Sequence, residues 1–195
     1  MKRRFFLFLS VLISIILSTG NIESKNITGK ISSAGIPITG VVVTDGTNFA
    51  VTNKKGDYSL ELNPHSRFVY ISVPSGYNCN FERGTVKFYL PVEPALSRYN
   101  FTLTKKINND TNHVFIAFTD PQVWAGKEFS QLSQSIDDMH ETINSFGPAT
   151  EVHAMCAGDI VSNDHTLYDE YNRIISKAGI PVYSSMGNHD MTLYG

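Results

Sequence analysis

The sequence has few cysteines and no concentration of positive charge, and each shortage excludes a class of protein. Only Cys79 and Cys156 occur among its 195 residues. They lie far apart, without the paired spacing of a zinc site or of a disulfide-rich secreted module. The formal net charge is −2, and no Lys/Arg cluster follows the first few residues. Because nucleic-acid binding needs clustered basic side chains, nucleic acid is not an expected partner.

Long apolar runs are also scarce, and the one candidate stands at the N-terminus. Basic residues at positions 2–4 precede an apolar run over 5–17, and small residues follow at 18–20. The run is too short to span a bilayer comfortably, so it predicts a signal peptide over residues 1–20 and not a membrane anchor, which is the alternative. We therefore expect an exported protein, periplasmic or secreted, with no membrane span once the leader is removed.

Residues 21–105 have the pattern of a small β-sandwich. Short stretches rich in β-branched and aromatic residues alternate with turn residues. The predicted strands cover 26–31, 40–44, 49–52, 58–62, 68–73, 85–90 and 99–103. We interpret most of the aromatic side chains as core residues and leave open a glycan- or protein-binding role; these residues are Phe49, Tyr70, Tyr77, Phe81, Phe88 and Tyr89.

The glycine spacing of this region resembles that of carboxypeptidase regulatory-like and related transthyretin-like sandwich modules. The likeness depends on Gly29, Gly35, Gly40, Gly56 and Tyr58. It implies a fold and not a chemistry.

After a polar linker at 106–112, residues 113–195 predict an α/β unit. Apolar runs at 113–119, 151–157 and 180–186 read as buried parallel strands. Between them, one helix ends at Gly147-Pro148 and a second is capped by Asn163 or Asp164 and closed by Gly179. We interpret Cys156, inside the second run, as a core residue, and we expect no disulfide. The first helix carries an apolar stripe of Phe129, Leu132, Ile136, Met139, Ile143 and Phe146.

The three predicted strands all end in side chains that can bind metal. Crossover connections bring the carboxyl ends of parallel strands to one edge of the sheet, so these side chains should converge. Carboxylates, amide oxygens and imidazole suit manganese, iron or zinc. A two-metal site needs a carboxylate between the ions, and Asp159 is the candidate. The set is Asp120, Gln122, Asp159, Asn188, His189 and Asp190.

The order Asp-x-(His), Gly-Asp, Gly-Asn-His-(Asp or Glu) resembles the calcineurin-like metallophosphoesterases. The resemblance implies an αββα layered fold and hydrolysis of a phosphomonoester or phosphodiester with two divalent metal ions. It also implies that Asp120 binds the first metal, Asp159 bridges both and Asn188 binds the second. His189 would face the substrate phosphate as a catalytic group, oriented by Asp190. Taken singly, each motif could instead be a turn, where Asn, Asp and Gly serve the backbone.

Two departures from that family weaken the expectation. Gln122 stands where the family has histidine, and its neutral amide is either a poorer metal ligand or only a loop contact. No histidine follows His189, so the family's later histidine ligands are missing. We therefore expect a fragment, or the product of an interrupted reading frame, with a bare edge on an unfinished sheet. The alternatives are a non-catalytic cell-envelope binding module and a pseudo-enzyme.

Overall fold

A computed structural model of the chain describes residues 24–82, 84–108 and 111–191. The predicted signal peptide at 1–20 lies outside these residues. Within the described ranges, no helix combines the length and the apolar character that crossing a membrane requires.

The N-terminal unit consists of short strands, as the turn-rich pattern predicts. Strands β1, β2, β5, β7 and β11 form one sheet, with the path β2-β1-β11-β7 and with β5 paired to β1. A second sheet has the order β10-β6-β3-β4. The strands are β1 Lys25–Ser33, β2 Ile36–Pro37, β3 Val42–Thr44, β4 Phe49–Val51, β5 Asp57–Leu62, β6 Phe68–Ile71, β7 Tyr77–Cys79, β8 Phe81–Glu82, β9 Thr85–Val86, β10 Tyr89–Pro91 and β11 Phe101–Lys105.

The two sheets enclose one hydrophobic core because apolar side chains alternate along their strands. In β5, Tyr58, Leu60 and Leu62 point inward and the residues between them are exposed or half-buried. From the second sheet, Val69 and Ile71 enter the same core.

Tyr58 and Gly29 are in contact inside this core. The Tyr58 hydroxyl donates a buried hydrogen bond of 2.6 Å to the Tyr99 carbonyl. A Cβ atom on Gly29 would lie 1.8 Å from that carbonyl oxygen and 2.5 Å from the Tyr58 ring. Only glycine fits there, which gives a physical reason for this part of the glycine pattern. The resemblance to carboxypeptidase regulatory-like modules itself stays a prediction.

The buried carboxylate of Asp45 organises the turn after β3. It accepts hydrogen bonds from the backbone N–H groups of Thr47, Asn48 and Asn63 and from the Ser66 hydroxyl, at 2.6 to 3.0 Å. Burial raises the pKa of Asp45, but these hydrogen bonds outweigh burial and hold it below its ordinary value. The ionised form therefore stabilises the fold.

The prediction that most aromatic side chains fill the core is wrong. Phe49 is 69% exposed and Phe81 is also exposed, while Tyr70 and Tyr89 are only half-buried. Tyr89 pairs with Tyr70, Tyr70 with Thr44, and Thr44 with Phe49 across the second sheet. Directly paired residues point to the same face, so these rings stand on the outer face. The other two predicted core aromatics, Tyr77 and Phe88, are half-buried against the core.

The C-terminal unit has the predicted strand–helix–strand–helix–strand order. Its elements are β12 His113–Phe118, α1 Gly126–Ser145, β13 Glu151–Ala157, α2 Tyr168–Ile175 and β14 Val182–Ser185. Strands β12, β13 and β14 are parallel neighbours in that order. Short 3₁₀ turns occupy His165–Leu167, Ser176–Ala178 and Asn188–Asp190.

The helices pack by the apolar stripes that the sequence shows. Leu132 and Ile136 of α1 share a core with Ala154 and Cys156 of β13. Asp164 caps the turn before α2 by accepting a hydrogen bond from the Thr166 N–H at 3.0 Å. Gly179 ends the helical segment with a φ of 70°, as predicted.

Strand β12 forms where the sequence predicts it. The prediction that this strand is buried is wrong. It is an edge strand of its sheet within the described residues, and Phe115 is 54% exposed. The partly buried residues Ile116 and Phe118 alternate with exposed ones and pack on the core that α1 and α2 cover. The apolar run thus predicts that a strand forms. How far the two faces of that strand are buried depends on which other elements pack against them.

The predicted strand at 85–90 is two strands in two different sheets. Thr85 pairs with Val182 of β14, so the β8–β9 hairpin extends the parallel sheet. Tyr89 onward pairs with β6 instead. The Lys87 N–H donates to the Asn80 carbonyl at 2.9 Å, which closes the hairpin and separates the two strands. Strand β14 is therefore paired on both sides, β12 stays an edge strand within the described residues, and a domain boundary at 105 stays a prediction.

Both cysteines are free and buried. Cys156 lies in the core of the C-terminal unit, as predicted, and Cys79 lies in the N-terminal core. Burial raises the pKa of the Cys79 thiol to about 11. Neither thiol has the exposure or the lowered pKa that marks a reactive cysteine.

Candidate functional site

The carboxyl ends of β12 and β13 lie against each other. We name the segments after β12, β13 and β14 the first loop (119–124), the central loop (158–163) and the third loop (186–191). The Asp120 N–H donates to the Gly158 carbonyl at 3.2 Å, and the Gln122 N–H donates to the Asp159 carbonyl at 2.8 Å. These bonds place the first two candidate metal-binding segments in direct backbone contact.

The third loop joins the central loop from its other side. The His189 N–H donates to Oδ1 of Asp159 at 3.0 Å. The Asn163 N–H donates to the His189 carbonyl, also at 3.0 Å. The central loop therefore lies between the other two, and all six predicted site residues belong to one contiguous arrangement of three strand ends.

The backbone of this arrangement is strained at the candidate ligands. Asp120, Gln122 and Asp159 have φ values of 52°, 39° and 47°. This left-handed region costs a non-glycine residue on the order of 1–3 kcal/mol, and such residues concentrate at functional sites. Asp tolerates the conformation better than Gln does. The surrounding hydrogen bonds hold all three residues in it.

Gly187 is the point of closest approach between the central and third loops. A Cβ atom there would lie 2.1 Å from Oδ1 and 2.4 Å from the backbone nitrogen of Asp159. No other amino acid fits without moving one loop. Gly187, the glycine of the third motif, thus allows the central and third loops to approach closely, and its position in the sequence alone does not predict this contact.

Asp190 joins the same two loops through its side chain. The residue is 1% exposed, and its carboxyl group accepts backbone hydrogen bonds from Ile160 and Val161 at 2.9 Å and from Gly187 at 2.8 Å. Burial raises the pKa of Asp190, but these bonds, with one from the Tyr168 hydroxyl, outweigh burial and hold it below its usual value. The ionised carboxylate acts as a clamp between the loops.

This geometry corrects the predicted role of Asp190 as the residue that orients His189. The hydrogen bonds of its carboxylate go to backbone N–H groups and to Tyr168. Nδ1 of His189 is buried and has no hydrogen-bond partner among the described residues. Three N–H donors and a hydroxyl occupy the carboxylate, so Asp190 is a positioning residue for the loops.

The remaining candidate ligands differ in exposure. Asp120 and Asn188 are exposed, while Asp159 and Gln122 are half-buried. The Thr119 hydroxyl lies within hydrogen-bonding distance of Oδ2 of Asp120 and of the Ala157 carbonyl. The Gln122 carbonyl accepts a hydrogen bond from the Ser162 hydroxyl at 3.1 Å. The backbone of Gln122 therefore has a loop-building role, whatever its side chain binds.

Sequence reasoning missed Glu128 in the first turn of α1. Its Oε2 atom is buried without a hydrogen-bond partner in the described part of the chain. It lines a cavity of about 260 Å³ together with Thr119 and Pro121 of the first loop. An acidic residue in the first turn of a helix is ordinary, so the sequence carries no signal for this placement.

The donor set suits a divalent metal only in part. Asp120, Asp159 and the amide oxygen of Asn188 are oxygen donors that manganese, iron or zinc accept. Within residues 24–82, 84–108 and 111–191, however, no three His, Cys, Asp or Glu side chains are grouped as a metal site requires. The described residues therefore supply oxygen donors of a suitable kind on neighbouring loops, without a preformed cluster of His, Cys, Asp and Glu ligands.

Comparison with known proteins adds a finding from the other half of the chain. Residues 25–106 match the family described as the N-terminal region of calcineurin-like phosphoesterase. No curated protein and no solved structure gives a significant match. The match spans less than half of the chain, and it does not overlap the three loops. Two separate stretches thus point to calcineurin-like phosphoesterases: 25–106 by the family match and 119–190 by motif resemblance.

Proposed function

We propose that this protein is an exported, metal-dependent phosphoesterase that hydrolyses a phosphomonoester or a phosphodiester. The observation that supports the proposal is the backbone contact among the first, central and third loops, the segments that carry Asp120, Gln122, Asp159, Asn188 and His189. The family match at 25–106 supports the same reaction class independently.

In this proposal Asp120, Asp159 and Asn188 would hold the metal ions. Gln122 is a further ligand if its side-chain oxygen turns toward the ions. Two divalent ions would supply the Lewis acidity that activates water and stabilises charge on the phosphoryl oxygens. The left-handed backbone conformation of Asp120 and Asp159 sets the direction in which each side chain leaves the main chain.

His189 is the candidate proton donor to the leaving oxygen. Its backbone is held at both ends, by Asp159 Oδ1 and by the Asn163 N–H. Nδ1 has no partner among the described residues, and to donate a proton the ring would have to be in its imidazolium form, which carries a proton on both nitrogens. Imidazole is suited to this role because it can both accept and donate a proton.

The test is metal-dependent hydrolysis of 4-nitrophenyl phosphate and bis(4-nitrophenyl) phosphate by the whole chain, with manganese and with chelator. We expect turnover with manganese only. Asp159→Asn should reduce it by at least about a hundred-fold. The matched control Asp169→Asn, an exposed carboxyl on α2, should leave it unchanged. Equal turnover in Asp159→Asn and wild type would disprove the assignment.

The second candidate function is a cell-envelope binding module. The observation favouring it is a cavity of about 300 Å³ at the second sheet, lined by the outer-face residues Phe68, Tyr70 and Tyr89 and by Phe88. Replacing Phe68 with Ala in the whole chain and measuring retention on an array of cell-envelope glycans tests it. Retention that Phe68→Ala abolishes, without phosphoesterase activity, would favour this candidate.

A further inference from the structure

The β8–β9 hairpin connects the N-terminal unit to the sheet that carries the candidate site. Thr85 of β9 pairs in parallel with Val182 of β14, and the Val182 N–H donates to the Gly84 carbonyl at 3.4 Å. The next residue of β9, Val86, is 1% exposed and belongs to the N-terminal core. Successive residues of β9 therefore join the two units.

Strand β14 is likewise shared between the two hydrophobic cores. Side chains alternate between the two faces of a strand. Val182 is buried in the core of the C-terminal unit, whereas the next residue, Tyr183, packs against the N-terminal core. The ring of Tyr183 lies 5.9 Å from the ring of Phe88, and burial raises the pKa of the Tyr183 hydroxyl. The N-terminal unit thus packs directly on β14.

The hairpin also contacts α2, the helix that precedes β14. A Cβ atom on Gly84 would lie 2.8 Å from Cγ2 of Ile175 and 3.2 Å from the Ser176 nitrogen. Ile175 is 2% exposed, so it cannot move aside without disturbing the packing of the C-terminal core. The Thr85 hydroxyl lies 3.5 Å from Oδ1 of Asn172 on the same helix. The glycine therefore allows the hairpin to approach α2 closely.

A cavity between the two units extends from these contacts to the clamp. Its volume is about 270 Å³, and its wall includes Val86 and Phe88 from the N-terminal unit. The opposite wall includes Ile160 of the central loop and Tyr168 of α2. The Ile160 N–H and the Tyr168 hydroxyl both donate hydrogen bonds to the Asp190 carboxylate. The N-terminal unit therefore lies across one cavity from two residues that bind the clamp.

We propose that the N-terminal unit positions the third loop of the candidate site through β9, with Gly84 and Tyr183 as positioning residues. Strand β14 ends at Ser185, and the third loop begins at the next residue. Removing β9 would leave β14 with an unpaired edge and Tyr183 without its packing. The inference rests on the proposed function, because the third loop carries the proposed metal ligand Asn188. It gives the N-terminal unit a part in metal binding.

Hydrogen exchange of the whole chain, followed by NMR, tests the positioning role without metal. The readout is the exchange rate of the His189 N–H, which bonds Oδ1 of Asp159, divided by that of the Gln122 N–H, which bonds the Asp159 carbonyl. Gly84→Ala should raise this ratio about ten-fold, because β14 and the third loop move while the first loop stays in place. A variant that only destabilises the whole fold changes both rates alike and leaves the ratio unchanged.

The matched control for Gly84→Ala is Gly35→Ala. The φ values of the two glycines are 79° and 81°, so alanine is strained equally at both positions, but a Cβ atom on Gly35 meets nothing within 4 Å. The exchange ratio in Gly35→Ala should equal that of wild type.

Tyr183 provides an independent pair of variants. Tyr183→Ala removes the ring that packs on the N-terminal core and should raise the exchange ratio about five-fold. Tyr183→Phe keeps the ring and should restore the wild-type ratio. Manganese affinity, measured by titration calorimetry, should fall about ten-fold in Gly84→Ala and Tyr183→Ala, because Asn188 moves with the third loop. It should stay at the wild-type value in Gly35→Ala and Tyr183→Phe.

The outcomes separate this inference from the proposed function. An unchanged exchange ratio in both Gly84→Ala and Tyr183→Ala would overturn the positioning role, whatever the manganese affinity. A raised ratio without manganese binding by wild type would uphold the positioning role and refute the proposed function. A raised ratio with undiminished manganese affinity in both variants would overturn the part of the N-terminal unit in metal binding.

Discussion

Replacing Gly187 with alanine should separate the central and third loops. The added methyl group would lie 2.1 Å from Oδ1 of Asp159, well inside van der Waals contact. Two hydrogen bonds depend on this approach: His189 N–H to Asp159 at 3.0 Å and Gly187 N–H to Asp190 at 2.8 Å. A hydrogen bond to a charged group contributes about 1.5–3 kcal/mol, so losing both destabilises the fold by about 3–6 kcal/mol.

Urea unfolding of the whole chain, followed by the emission of Trp124, measures this loss. With a slope of about 2 kcal/mol per molar urea, the midpoint should fall by about 2 M. The control is Gly126→Ala at the start of α1, where a Cβ atom meets nothing within 4 Å and the midpoint should not fall. Equal midpoints for Gly187→Ala, Gly126→Ala and wild type would refute the contact.

Three further variants test the clamp and the N-terminal unit. Asp190→Asn replaces one carboxylate oxygen by an amide nitrogen that cannot accept hydrogen bonds from the backbone N–H groups. Hydrogen exchange of the Ile160 N–H, measured by NMR, should therefore be about ten-fold faster, and unchanged exchange would contradict the clamp. Because the folded-state pKa of Asp45 is lowered from 3.8, its stabilisation is present above that pH and lost on acidification. Urea midpoints between about pH 4 and pH 2 should therefore fall less in Asp45→Asn than in wild type or Asp57→Asn; parallel curves would count against this. Tyr58→Phe should lower the N-terminal unit's stability by about 1–3 kcal/mol in urea unfolding followed by circular dichroism, whereas an unchanged midpoint would argue that the 2.6 Å bond contributes nothing.

The secondary structure of the C-terminal unit could be predicted because its periodicity is unambiguous. The stripe containing Leu132 and Ile136 defines one face of α1, and the run at 151–157 matches β13 residue for residue. Local rules also located the ends, since Asp164 caps and Gly179 takes a left-handed conformation. The periodicity and the capping residues depend only on residues that are close in sequence, so they can be recognised without knowing the tertiary contacts.

Burial could not be predicted in the same way. An apolar run such as 113–118 predicts a strand, but its exposed face depends on which other elements pack against it. The aromatic residues Phe49 and Tyr70 have strong strand propensity on either face of a sheet, so alternation cannot say which face is the core. The pairing of Thr85 with Val182 joins residues nearly a hundred positions apart, beyond any local signal.

The candidate site also has features that the sequence predicts and features that it does not. Topology predicts that Asp120, Asp159 and Asn188 approach one edge of the sheet, because parallel strands with crossover helices leave no other arrangement. The role of Asp190 could not be predicted, since its partners are backbone N–H groups placed by loop conformation. The strain at Gln122 likewise depends on its bonds to Asp159 and Ser162.

Manganese binding by the whole chain, measured by titration calorimetry, tests most directly whether the three loops form one metal-binding centre. Wild type and the control Asp169→Asn should bind manganese with the same affinity. Asp159→Asn should bind at least about a hundred-fold more weakly, because Asp159 is the carboxylate that we propose as a ligand of both ions. Undiminished binding in Asp159→Asn, or no binding in wild type, would contradict a metal centre built on Asp159.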